Sequence, residues 1–210
     1  MNAPRHLDFY FDFLSPSAYL AFPPALRIAE RYGLTPRVWP IDLKAAKLAA
    51  GNTGPANREI PAKLRYLTAD MKRWAQRYGA PLVFPPNYAS ERANRGTFYA
   101  IDRGQANDYV QRLWSAAWGR GEDMSSPDVL GEVARGLGWP VEEFLDYTTS
   151  EASAQRYAQS NQRAHELGVF GVPMILIDDQ MWWGNDRFDF IVEYLDATAT
   201  AALIVARLAV

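Results

Sequence analysis

Two stretches of this 210-residue chain carry groups that could do chemistry if a fold brought them together. The first is Asp8-Phe9-Tyr10-Phe11-Asp12-Phe13-Leu14-Ser15-Pro16, an alternating aromatic run that ends in serine and proline. Alternation predicts a strand and Ser-Pro a helix entry, so the Ser15 hydroxyl is aimed along the axis of the following helix. The first turn of a helix has unpaired N–H groups and a positive partial charge, which stabilise an anion or a thiolate. Taken alone, Ser-Pro more often marks a plain cap. Neither histidine, His6 or His165, stands in triad spacing to Ser15, so a hydrolase-type serine nucleophile is not expected. A serine that donates a hydrogen bond to a bound thiolate needs no base. The second stretch is Gly171-Val172-Pro173 ahead of an apolar run. A cis Val-Pro bond would turn the Val172 N–H and C=O outward, to pair like a strand with a peptide-like ligand. A trans proline opening an edge strand is the plainer alternative.

Composition narrows the chemistry further. There is no cysteine, which excludes disulfides, thiolate-held metals and redox work by the chain's own thiols, so any thiol used at Ser15 comes from outside. The formal net charge of −2 does not suit a general nucleic-acid or anionic-membrane binder. No apolar run reaches the ~20 residues needed to span a bilayer, and residues 1–6 lack the apolar stretch of a signal peptide, so a cytoplasmic protein is expected. Seven Trp and 11 Tyr would suit a pocket for a flat aromatic ligand, or equally a core.

The elements that must position these groups follow from periodicity. Residues 7–14 predict a strand and 17–32 a helix stopped by Gly33, with Pro23-Pro24 expected to kink or split it. Residues 37–43 predict a second strand with Trp39 and Ile41 on one face, and 51–55 a loop. From 61 to 167 the pattern is helical, with helices expected at 61–78, 91–102, 106–118, 128–137, 141–148 and 151–167. Strands return at 174–177 and 180–183 around an Asp178-Asp179 turn, and Asp186 is expected to cap a final helix whose inner side holds Phe188, Ile191, Val192 and Leu195. The order β-α-β, helical block, β-β-α predicts one α/β sheet, built from residues 1–45 and 168–210, with a helical domain of residues 46–167 inserted after the second strand. In such a sheet the end of the first strand and the start of the third are neighbours, which brings Ser15 and Val172-Pro173 together.

The pairing of a first-helix motif with Val-Pro before the third strand resembles the thioredoxin fold in its DsbA-like form. The motifs Phe9 to Pro16, Ile41-Asp42-Leu43, Gly51-Asn52 through Gly54-Pro55, Asn57-Arg58, Pro81 to Pro85, Asn87-Tyr88, Val169 to Pro173 and Met181 to Arg187 resemble the 2-hydroxychromene-2-carboxylate isomerase family, relatives of the kappa-class glutathione transferases. The resemblance implies a glutathione cofactor and an isomerisation without net redox change, acting on a small aromatic carboxylate of naphthalene-type catabolism, in a homodimer. It places Ser15 as the catalytic serine beside the glutathione sulfur, and Val172-Pro173 against the glutathione backbone. Trp183, Gly184, Asn185 and Asp186 match the loop holding the γ-glutamyl end. Asp186 offers a charge to its ammonium, and helix N–H groups suit its carboxylate. Without the resemblance, Gly184-Asn185-Asp186 reads as a turn and a cap. Lys47, Asn57, Arg58 and Tyr88 match the substrate-contacting positions, where cationic and amide donors meet a carboxylate and an aromatic face meets the ring. As residue types alone, Lys47 and Arg58 fit solvated loop charges, and Asn57 and Tyr88 turn and core residues. Two other functions share these residues: a kappa-type glutathione transferase or peroxidase with another electrophile, and a non-catalytic thioredoxin-fold binding module.

Overall fold

The computed structural model describes residues 5–208, apart from the side chains of Arg58 and of residues 201–208; the expectations for residues 1–4 and for the apolar tail's side chains lie outside the described residues. In chain order the elements are β1 (His6–Phe11), α1 (Pro16–Arg31), β2 (Thr35–Pro40), α2 (Leu43–Ala49), a 3-10 turn (Asn57–Glu59), α3 (Pro61–Tyr78), α4 (Glu91–Asp102) and α5 (Ala106–Trp114). A π-helical turn (Ser115–Gly119) leads to α6 (Pro127–Gly136), α7 (Val141–Thr149), α8 (Glu151–Glu166), β3 (Met174–Ile177), β4 (Gln180–Trp183) and α9 (Phe188–Leu208). The four strands form one sheet in the order β2-β1-β3-β4, with β1 parallel to β2 and antiparallel to β3.

Strand β1 is central, and both of its faces are covered. Leu7, Phe9 and Phe11 point to one side, where Trp114 of α5 meets Phe9, Phe11, Phe13 and Phe22 edge-on at ring separations of 5.1–6.4 Å. Tyr10 points to the other, stacked on Trp39 and packed with Ile41, Val172 and Met174. Edge-to-face rings add about 0.5–1.5 kcal/mol per pair beyond their buried area. The helical block is therefore fastened to the sheet through the segment that carries Ser15. The register Tyr10↔Met174 sets the end of β1 beside the start of β3.

Four expectations are corrected. Pro23 and Pro24 do not split α1, which runs unbroken from Pro16 to Arg31. Each proline removes one i→i−4 donor, and the helix tolerates this because its inner side, from Ala18 to Ala29, is buried throughout. The second strand ends at Pro40, so Ile41 lies beyond it and Leu43–Ala49 is helical, with Asp42 as N-cap accepting from Ala45 N at 2.9 Å. The helix expected over 106–118 is α-helical only to Trp114 and then widens into the π turn. Asp186 does not cap α9: the helix starts at Phe188, and Ile191 N donates to Arg187 O. The expected inner side of α9 holds, with Ile191 and Leu195 buried and Phe188 and Val192 partly so.

Candidate active site

The turn between β1 and α1 is pinned at every peptide group. Ser15 N donates to Asp12 O at 2.9 Å, and Leu14 N to Asp12 Oδ1 at 3.2 Å, an aspartate-stabilised turn. Phe13 N donates to Asn94 Oδ1 at 3.2 Å, and Phe13 O accepts from Trp118 Nε1 at 2.8 Å. Ser15 is buried, in extended backbone, and its Oγ accepts from Ala18 N at 3.2 Å. The hydroxyl thus caps the helix with a lone pair, which leaves its proton to donate. The first turn of α1 has no acidic residue and the last turn has Arg31, so no side chain of the helix opposes the positive end at Ser15.

Across the sheet, the Val172-Pro173 bond is cis. Pro173 O accepts from Gly184 N at 3.0 Å, whereas the Val172 N–H and C=O make no hydrogen bond among the described residues. Trp183 lies over the glycine before Val172: a Cβ on Gly171 would meet Trp183 Nε1 at 2.8 Å, and the indole meets Phe170 edge-on at 5.0 Å. Gly184 has φ +108°, which L side chains rarely adopt, and a Cβ there would lie 2.7 Å from Asp186 Oδ1. Asn185 is buried; its carbonyl accepts from Tyr78 OH at 2.7 Å, while its Nδ2 is buried without a partner. An orphaned buried amide costs about 1–3 kcal/mol. Asp186 is exposed, with Arg187 Nε at 3.6 Å.

A cleft of about 870 Å³ opens beside the Ser15 turn, with Asp12, Leu14, Lys47, Asn57 and Tyr88 in its wall. Three of the four expected substrate contacts therefore share one cleft; the Arg58 side chain lies outside the described residues. Tyr88 is 40 % exposed, its ring 6.0 Å from that of Trp118. Ser15, Val172, Pro173 and the Trp183–Asp186 loop are not part of this cleft's wall. A smaller cavity of about 510 Å³ lies behind the β2 edge, but its Arg37 and Arg156 are engaged by Asp8 and Asp102 and its Arg163 sits over Trp39.

Sequence reasoning missed two parts of the cleft. Arg92 and Arg95, three apart on α4, line its far wall and are held by Thr148 Oγ1 at 2.8 Å and Ser153 Oγ at 2.9 Å. Their spacing on one helix face was the available signal. The other is Asp12, 1 % exposed, whose carboxylate accepts from Leu14 N, Leu43 N (3.0 Å), Asn94 Nδ2 (2.9 Å) and Ser90 Oγ. Burial pushes its pKa up, and the four donors oppose that shift.

A sheet of this order, a helical block between its second and third strands, a helix-capping serine after the first strand and a cis Val-Pro before the third define a DsbA-like thioredoxin protein, and residues 6–196 match the DSBA-like thioredoxin domain model. The 2-hydroxychromene-2-carboxylate isomerase of Pseudomonas putida is 47% identical over 89% of this chain and 92% of its own length. A solved structure of 2-hydroxychromene-2-carboxylate isomerase superposes with a TM-score of 0.87 at 44% identity, covering 96% of this chain and 98% of that one. This chain belongs to the 2-hydroxychromene-2-carboxylate isomerase family. A more distant relative, glutathione S-transferase kappa 1 of Caenorhabditis elegans, is 25% identical over 90% of each chain.

Proposed function

We propose that the chain is a glutathione-dependent isomerase that interconverts 2-hydroxychromene-2-carboxylate and trans-o-hydroxybenzylidenepyruvate. The observation that carries this reading is the Ser15 hydroxyl: it caps an α1 whose first turn holds no acid, in a cysteine-free member of the isomerase family. The residues fit glutathione on three counts. A peptide backbone needs free strand-like partners, and Val172 keeps both its N–H and C=O unpaired among the described residues. A γ-glutamyl end needs a donor and an anion, and the Trp183–Asp186 loop has the orphaned Asn185 Nδ2 and the exposed Asp186 carboxylate. A thiolate needs a donor, and Ser15 has its proton to give.

When bound, glutathione supplies the nucleophilic sulfur that reversible addition to the conjugated double bond requires, which allows rotation without net redox change. The chain's own residues do the rest. Ser15 and the α1 N-terminus hold negative charge on the sulfur side of the turn. Lys47 and Arg58 hold the substrate carboxylate, Asn57 adds an amide donor, and Tyr88 offers its exposed face to the ring. We take residues 1–45 with 168–210 as the thioredoxin-like domain and 46–167 as the helical one, in a cytoplasmic homodimer serving naphthalene-type catabolism. No helix of the described residues is long and apolar enough to cross a membrane.

The kappa-type relative supports a second reading, transfer of glutathione to another electrophile. Isomer formation and free glutathione, followed together in one reaction, separate the two. Isomerisation leaves glutathione at its starting concentration, whereas loss of one glutathione per product would establish transfer.

A further inference from the structure

We propose that Asp12 is a positioning residue for the isomerisation, its buried carboxylate holding α2, and with it Lys47, in register with the Ser15 turn; this rests on the assignment of Lys47 to the substrate carboxylate. The seven-residue helix α2 has no fully buried side chain; only Leu43 and Ala46 rest, partly buried, on the core beside Tyr10 and Ile41. Isolated helices this short are unstable in water. Its N-terminal side is fixed in addition by hydrogen bonds: Leu43 N to Asp12 Oδ2 at 3.0 Å, Asp42 N to Asn161 Oδ1 at 2.7 Å, and Ile41 O from Asn94 Nδ2 at 3.4 Å. Lys47 lies one turn beyond Leu43, so a displacement at the Leu43 amide is passed directly to it.

The two oxygens of Asp12 divide the work. Oδ1 accepts from Leu14 N, Ser90 Oγ and Asn94 Nδ2, which ties the Ser15 turn to the start of α4 and the Tyr88–Ser90 segment. Oδ2 accepts from Leu43 N alone among the described residues. The same carboxylate therefore joins the segments carrying Ser15, Lys47 and Tyr88. It does so at a cost, because burying the charged form disfavours it, in keeping with the upward push on its pKa.

This division makes a selective perturbation available. In Asp12→Asn the amide oxygen takes the Oδ1 position, where three donors converge, and the new NH2 faces the Leu43 N–H. Donor meets donor, so α2 is released while the Ser15 turn and the Ser90 and Asn94 contacts stay. The experiment has three readouts: hydrogen exchange at single amides, calorimetric titration with glutathione, and steady-state kinetics with 2-hydroxychromene-2-carboxylate. In Asp12→Asn, exchange is expected to accelerate at Leu43 and stay slow at Leu14. Glutathione affinity is expected within twofold of the parent, and the KM for the substrate to rise roughly tenfold, equivalent to about 1.4 kcal/mol. Continued protection of the Leu43 amide would overturn the proposal. So would an unchanged substrate KM, or a parallel loss of glutathione affinity, which marks a general structural role. Asp12→Ala, which removes both oxygens, is expected to weaken glutathione as well; equal effects of the two variants on every readout would also overturn it. An unmutated chain with no isomerase activity would remove the proposed function, and the amide-exchange comparison would still decide the clamp.

Discussion

Ser15 caps α1 in this structure and is proposed to donate to the glutathione sulfur; replacing it by alanine removes both. As a cap, its Oγ accepts from Ala18 N at 3.2 Å. Loss of a serine cap to alanine costs about 0.5–2 kcal/mol of stability, whereas glycine at the same position costs only a few tenths. As a donor, its proton is proposed to meet the glutathione sulfur. A hydrogen bond to a charged group contributes about 1.5–3 kcal/mol, which at the rate-limiting step is a loss of roughly ten- to a hundredfold in turnover. The same energy, expressed on the thiol, raises its bound pKa by about 1–2 units. Comparing Ser15→Ala with Ser15→Gly separates the parts. Both variants should lose turnover to the same extent and shift the acid limb of the pH–rate profile upward, while only the alanine variant should melt at a clearly lower temperature. The assays are isomer formation by absorbance, thiolate absorbance of bound glutathione against pH, and thermal unfolding. Undiminished turnover in both variants, or turnover that tracks melting temperature between them, would refute the donor role.

Three further predictions follow from the same geometry. Gly184→Ala places a Cβ 2.7 Å from Asp186 Oδ1 at a φ of +108°, so glutathione affinity in calorimetric titration and the melting temperature should both fall. Gly96→Ala drives a methyl into the Tyr109 hydroxyl and the Phe144 ring inside the helical block, and denaturant unfolding should show a loss of about 1–3 kcal/mol. The Arg5 guanidinium, with Tyr194 OH, holds the Asp178 carboxyl below the usual carboxylate range. A depressed folded-state pKa contributes stability that is present above the unfolded value of about 3.9 and lost as pH falls through the folded one. The pair is part-exposed, so the contribution is about 0–1 kcal/mol; Asp178→Asn should lower the melting temperature slightly at neutral pH and converge with the parent in acid.

What the sequence made legible tracks how locally each feature is encoded. The β3–β4 hairpin and α4 have the predicted bounds, because alternation around Asp178-Asp179 and the pattern of Glu91–Asp102 are complete within their own residues. The parallel pairing of β1 with β2 followed from the long helical crossover between them, and the placement of β1 beside β3 was also expected. Helix α2 was hidden because it is short and buries no side chain fully, only Leu43 and Ala46 resting on the core, and Trp39-Pro40-Ile41 before it continues a strand pattern. The Asp12 network had no local signal, since Ser90 and Asn94 stand 78 and 82 residues away from it. The unpartnered amide of Asn185 is likewise a property of packing, although the glycine before it pointed to the turn.

The proposed isomerisation depends most on a thiol, which the chain, lacking cysteine, does not contain. The direct test is the rate of 2-hydroxychromene-2-carboxylate isomerisation by protein purified without thiols and verified glutathione-free by mass spectrometry, measured before and after glutathione is added. The account predicts a rate at the uncatalysed background without glutathione, a large saturable rise with it, and no glutathione consumed. Equal enzymatic rates in both conditions would contradict it.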